Sequence, residues 1–174
     1  ADGSAPADVV PVVSLPPFQT LLDEHADALH RHVRALVGPN DADDVTQEVL
    51  IAALRAYPSL RDGSNLRGWL WTIARHKAID RARHDGRRPR TVPLDETAGG
   101  GPAPPTLERD RPQPDDDLWA AVRRLPDGQR AAVALRFVDD MPYSEIASVI
   151  GCSEGAARQR VHDGIRALRG EALT

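Results

Sequence analysis

PYSEIASVIGCSEGAARQRVHDGIRALR, residues 142–169, holds two helical apolar patterns separated by a single glycine. Ile146, Ala147 and Ile150 point to one side of a short first helix, and Ala157, Val161, Ile165 and Leu168 recur at 3.6-residue spacing along a longer second one. Gly151 suits the turn, and Ser153 suits the N-cap of the second helix. This is helix-turn-helix spacing. Gly155, Ala156, Gln159, Arg160 and Asp163 face away from the core stripe near the start of the second helix. Small residues there permit close approach to a major groove, where Arg158, Gln159 and Arg160 reach phosphates or base edges. A helix hairpin with no DNA role is the competing reading. Cys152, the one cysteine, sits in the turn, where a small buried side chain is the simplest account.

Outward from this motif, Leu118, Val122 and Leu125 mark a short helix, and Pro126 opens the next, whose apolar positions are Ala131, Ala134, Phe137 and Val138. Further upstream the pattern dissolves: seven of the 15 prolines and the Gly99-Gly100-Gly101 triplet fall within residues 89–114. Such a segment makes no packed element and reads as a linker. The expected architecture is all-α. An unpacked tail (1–14) precedes a helical domain (15–88), and the flexible acidic linker (89–114) leads to a second helical domain (115–174).

In the N-terminal domain, Phe18, Leu21, Leu22, Ala26, Leu29, Val33, Leu36 and Val37 form one stripe, ended by Gly38-Pro39. His25 and His32 share this stripe, two turns apart, too far to hold one metal; buried or edge histidines are expected. A second helix starts near Asp41 as N-cap and closes before Pro58, with Val45, Val49, Ala52, Ala53 and Ala56 as a small packing face. Asp44, Gln47, Glu48 and Ile51, at i, i+3, i+4 and i+7, form another stripe that either docks a basic partner or is a solvated face. A third helix, capped by Ser64 and reaching about Arg83, buries Leu66, Trp69, Leu70 and Ile73. Trp71 projects away from that face beside Arg75 in a helix loaded with positive charge. An aromatic among basic residues suits a nucleic-acid backbone and a stacked base, with an internally packed Trp71 as the alternative.

Charge distribution says more than the net −4 of the 174 residues. Residues 61–90 carry nine basic and three acidic side chains, net +6, and residues 153–170 are net +2; residues 91–117 between them are net −5. Two positive islands around an acidic spacer describe a bipartite polyanion binder. One cysteine excludes an intramolecular disulfide or a multi-thiolate metal site and points to a reducing cytoplasm. No run approaches the length of a membrane span. No nucleophile motif, phosphate-binding glycine loop or HExxH is present, so an enzyme, a cofactor and a metal site are not expected.

DADDVTQEV (41–49), NLRGWLWTIARHKAIDRAR (65–83) and LPDGQRAAVALRFVDDMPYSEIASVIGCSEGAARQRVHDGIRALR (125–169), in this order across a variable linker, resemble an extracytoplasmic-function (group 4) sigma factor of bacterial RNA polymerase. The resemblance implies that Asp44, Gln47, Glu48 and Ile51 dock on the clamp helices of the polymerase largest subunit. It implies that the loop before the tryptophan helix captures a flipped base of the minus-ten element, through Leu60, Arg61, Ser64 and Asn65, with Trp69, Trp71, Arg75 and Lys77 beside the opening duplex. It assigns the minus-35 duplex to Ser153, Ala156, Arg158, Gln159, Arg160 and His162. Asp163 stands where the family often has a basic residue, and Ala156-Ala157 where it often has Thr-Val.

The partners so implied are polymerase core, including its flap region, promoter DNA and an anti-sigma protein that contacts both domains, without membrane insertion or homo-oligomerisation. The alternative is a helix-turn-helix regulator acting without polymerase, which leaves the acidic stripe and the whole N-terminal domain unexplained.

Overall fold

A computed structural model of the chain describes residues 15–87 and 116–171. Among them every regular element is a helix: α1 (Phe18–Val37), α2 (Pro39–Ala56), a 3-10 turn (Tyr57–Ser59), α3 (Leu66–Arg87), α4 (Asp116–Arg124), α5 (Asp127–Phe137), α6 (Tyr143–Ile150) and α7 (Glu154–Glu171). The tail (1–14) and the whole proline-rich linker (89–114) read from the sequence lie outside the described residues. No described helix is long and apolar enough to cross a membrane.

The N-terminal helices pack around Leu29 and Val33 of α1, Val45, Val49 and Ala53 of α2, and Leu70, Trp71 and Ala74 of α3. One residue, Gly38, makes the corner between α1 and α2, with φ at 92°. Only glycine takes this backbone without strain; the space itself is open, since a β-carbon there would meet the Arg123 side chain at an ordinary 3.4 Å. Pro39 follows as the first residue of α2, two positions before the start expected at Asp41. Proline suits that position because its missing N–H would have had no partner in the helix. Asp41 instead lies in the first turn, where its carboxylate receives Arg81 from α3.

The cap of α3 also differs from expectation. Asn65, not Ser64, holds the position: its Oδ1 accepts the Gly68 N–H at 2.8 Å, while the Ser64 N–H donates to Asp62 Oδ1 at 2.8 Å. The helix continues past Arg83 to Arg87.

In the C-terminal half, Ala131, Ala132, Val133, Ala134 and Leu135 of α5 are all buried, five in succession. A one-sided helix cannot do this; α5 is packed by α7 and α6 on one side and by α1 on another. That sandwiching defeats the single-stripe reading, and Phe137 and Leu118, expected in the core, are 59% and 50% exposed. The helix-turn-helix forms as read. Gly151, at φ 74° and ψ 49°, ends α6 with its N–H on the Ala147 carbonyl, and Ser153 Oγ accepts the Ala156 N–H at 3.2 Å to start α7.

The two halves also share a core. Ala35, Leu36 and Ala78 cluster with Ala134. Beside them His32 Nδ1 donates to Asp139 Oδ2 at 2.5 Å, and both side chains are 1% exposed. The buried histidine expected on the α1 stripe is therefore tied to the turn between α5 and α6.

Close packing of α7 on α5 depends on Gly164, where a β-carbon would stand 2.7 Å from Val133 Cγ2. Gly155, on the same helix, has nothing within 4 Å. Alanine raises helix propensity at both by about 1 kcal/mol, but only at Gly164 does overpacking oppose it by about 1–3 kcal/mol. Gly155→Ala is therefore expected to hold or raise the melting temperature and Gly164→Ala to fall below it, as checked by thermal denaturation of the two variants.

Candidate nucleic-acid interface

The exposed edge of α7 is ordered by its own side chains. Arg158 Nη2 donates to Glu154 at 3.0 Å, and its guanidinium lies over the Tyr143 ring, 5.0 Å from the centroid. Arg136 approaches the same ring at 5.4 Å. Held in this way, Arg158 loses less side-chain freedom on meeting a phosphate or a guanine edge than a free arginine would. Gln159 donates to Asp163 at 3.0 Å, as does Arg166 at 3.1 Å. Asp163 thus orients two neighbours and is locally offset in charge.

Ser153, Arg158, Gln159 and His162 are exposed, and Ala156 is half-buried. Arg160, read from the sequence as outward-facing, is half-buried along α5, its Nε 3.4 Å from the position a β-carbon on Gly128 would take. Sequence periodicity missed Tyr143 as a support for Arg158, because it belongs to a neighbouring helix.

On the opposite half, all four members of the α2 stripe, Asp44, Gln47, Glu48 and Ile51, are exposed. Leu54, not singled out from the sequence, extends it: Ile51 is 44% and Leu54 55% exposed, one helical turn apart. Exposed aliphatics flanked by carboxylates make a surface suited to a partner that is basic with an apolar centre. Glu48 Oε2 stands 3.8 Å from Lys77 Nζ, which ties the stripe to α3 and occupies one of the cations read as a DNA contact.

The loop before α3 presents Arg61, Ser64 and Asn65 at the surface, with Leu60 half-buried. The Ser64 backbone N–H, and then its hydroxyl, hold the Asp62 carboxyl below its ordinary value. The folded pKa being depressed, this turn is closed above the usual carboxylate range and loosens only as pH falls through the lowered value. Asn65 Oδ1 is engaged in capping α3. Trp69 is half-buried against Tyr57, with ring centroids 6.0 Å apart.

Trp71 departs most from expectation. It is fully buried, edge-on to His25 at 5.9 Å, tilted against His32 at 6.0 Å, with the Arg67 guanidinium 5.5 Å from its centroid. The helical wheel placed it away from the Leu70 face because it considered packing on one side of α3 only. In the fold α3 has α1 and α2 on one side and α6 on another, so a residue turned from the first layer enters the second. Arg75 follows it into the same region and is half-buried, with Nε enclosed.

An exposed helix-turn-helix edge on one half and an exposed acidic-apolar stripe beside a basic helix on the other are the features of a helical protein of the nucleic-acid-binding class. Residues 21–88 match the sigma-70 region 2 family and residues 115–168 the sigma-70 region 4 family. The ECF RNA polymerase sigma factor SigE of Mycolicibacterium smegmatis is 33% identical over 160 residues, covering 90% of this chain and 62% of that protein. SigC of Mycobacterium tuberculosis is 35% identical over 146 residues, covering 82% and 76%. The sigma factor RpoE, solved in complex with the anti-sigma factor NepR from Bartonella quintana, aligns with a TM-score of 0.66 at 25% identity, over 88% of this chain and 94% of that one. The chain belongs to the extracytoplasmic-function sigma factors of the sigma-70 family.

Because Trp71 is enclosed and Trp69 is at the margin, the two tryptophans separate in a stability measurement. Trp71→Ala is expected to cost about 3–5 kcal/mol, the range for emptying a large aromatic site, and Trp69→Ala clearly less; urea denaturation of both variants followed by circular dichroism checks the order.

Proposed function

We propose that this chain acts as a promoter-specificity subunit: it joins core RNA polymerase, recognises a minus-35 duplex through α7, and opens the minus-ten element through α3 and the loop before it. The observation that carries this reading is the exposure of two unlike surfaces on one chain, the α2 stripe around Glu48 and Ile51 and the α7 edge around Arg158. A duplex-binding regulator needs only the second.

In this scheme the chain makes and breaks no covalent bonds. Binding energy does the opening, and capture of an extruded base offsets an unstacking cost of a few kcal/mol. Arg61 and Ser64, exposed in the loop, are the proposed readers of that base. Asn65 acts there through its cap as well as through its exposure. Trp69 and Lys77 flank the strand, and Trp71 supports α3 from within. Ser153, Ala156, Gln159 and His162 line the duplex beside Arg158, with Arg160 behind them. The partners are the clamp helices and flap region of polymerase core, promoter DNA and an anti-sigma protein; RpoE, with the same fold, is solved bound to one.

Two substitutions on opposite faces test the division. Glu48→Arg is expected to weaken capture by core polymerase in a pull-down, and Asp44→Arg with Glu48→Arg to abolish most of it, since desolvated interface charges matter by a few kcal/mol. Both should leave duplex binding intact. Arg158→Ala is expected to weaken minus-35 duplex binding by about 1–3 kcal/mol on the preferred sequence alone if it reads a base, or on all sequences with a shallower salt dependence if it holds a phosphate. Unchanged core affinity in both stripe variants would overturn the docking assignment.

A further inference from the structure

Arg130 of α5 is only 17% exposed, and its Nη2 donates to Asp127, three residues earlier on the same helix. A guanidinium carries five N–H donors, and one carboxylate takes two of them at most. Enclosed donors left without acceptors are costly. Beside Arg130 lies a hollow of about 150 Å³, half open to solvent and walled by Arg123 of α4, Arg81 and Ala82 of α3, and Asp41 of α2. On its other flank Arg130 borders a second hollow of about 10 Å³, shared with Arg75 and Asp127. Arg75 Nε is enclosed there with no hydrogen-bond partner.

Four arginines and two aspartates thus line two adjoining hollows, in a chain whose net charge is −4. Asp41 receives Arg81 and Asp127 receives Arg130. Ion pairs that serve only to join helices close up on one another, because interiors pack to a density of about 0.75 with few voids larger than a water. Here the arginines border open space. The larger hollow exceeds the roughly 10–15 Å³ that one water needs many times over, so it admits a small polyatomic anion whole.

The geometry narrows the anion further. A planar carboxylate is matched by the fork of one arginine, whereas Arg81, Arg123 and Arg130 come from three helices and suit oxygens that point in several directions. A tetrahedral phosphate has such oxygens. The rest of the wall is apolar, with Leu36, Val37 and Ala78, and a low local dielectric strengthens charge-assisted hydrogen bonds.

We propose that this pocket binds a small phosphate-bearing dianion, either inorganic phosphate or the phosphate end of a small monoester, held by Arg130 with Arg81 and Arg123. Arg81 belongs to the N-terminal half, and Arg123 and Arg130 to the C-terminal half, so the bound anion touches both and stabilises their contact as its occupancy rises. The site needs neither polymerase nor promoter DNA.

Isothermal titration of the full chain with inorganic phosphate, against chloride at constant ionic strength, tests this. One saturable site per chain is expected in the millimolar range or below. Arg130→Gln removes charge-assisted hydrogen bonds and is expected to weaken the site about tenfold or more, while Arg55→Gln, exposed on α2 away from the pocket, leaves it unchanged. Should circular dichroism show that Arg130→Gln unfolds the chain, Ala82→Leu narrows the pocket from an exposed position with every arginine kept, and is expected to weaken binding in the same direction. Competition by phenyl phosphate extends the site to monoesters, and its absence confines the site to free phosphate. No saturable binding, or undiminished binding in the folded pocket variants, overturns the proposal. Displacement of the bound phosphate by duplex DNA but not by phenyl phosphate would assign the arginines to a nucleic-acid backbone and overturn it equally.

Discussion

Asp139 brings a carboxylate into an interior of alanine, valine, leucine, isoleucine, methionine and tryptophan, and the hydrogen bond it accepts from His32 helps to fix how the two helical halves meet. A buried charge separated from its partner is costly, so the α5–α6 turn has one register against α1 and few others. Arg67 reinforces that register from α3 by taking the backbone carbonyl of the same residue. The positive φ of Asp140, at 49°, turns the chain immediately after this contact and delivers Met141 into the core. These groups act together with the shared apolar core, in which Leu70 and Trp71 lie with Met141 and Ile146, to orient the helix-turn-helix relative to the N-terminal helices.

The same constraint gives α3 two layers of neighbours. One face packs on α1 and α2 in the ordinary way of an amphipathic helix, and the adjoining face is taken by the other half of the chain. A helix that is basic along its length and yet enclosed on two sides has little surface left for a strand of DNA. Its exposed remainder lies toward the preceding loop, where Asp62 and Asn65 spend their side chains on shaping the turn and the cap. The shape of this loop therefore rests on Asp62 and Asn65.

On α7 the electrostatics are arranged within the helix. Glu154 with Arg158, and Asp163 with Gln159 and Arg166, are pairs three or four residues apart, which individually stabilise an exposed helix by only a few tenths of a kcal/mol. Their larger consequence is orientation: each long side chain is held in one direction, and Tyr143 adds a flat surface beneath Arg158.

Much of this was legible in residue order. Apolar spacing marked each helix to within a few residues, Gly151 and Ser153 marked the helix-turn-helix, and the i, i+3, i+4, i+7 positions from Asp44 to Ile51 marked a stripe that is exposed in the fold. These are properties of single helices, set by 3.6-residue periodicity and by which backbone groups a cap must satisfy. The burial of Trp71, the exposure of Phe137, the retreat of Arg160 onto α5 and the pairing of His32 with Asp139 across 107 positions of sequence were decided only by tertiary structure. Each depends on a second helix layer arriving from a distant part of the chain, and a helical wheel holds one layer. Periodicity determined what each helix could bury; the meeting of the two halves determined what it did bury.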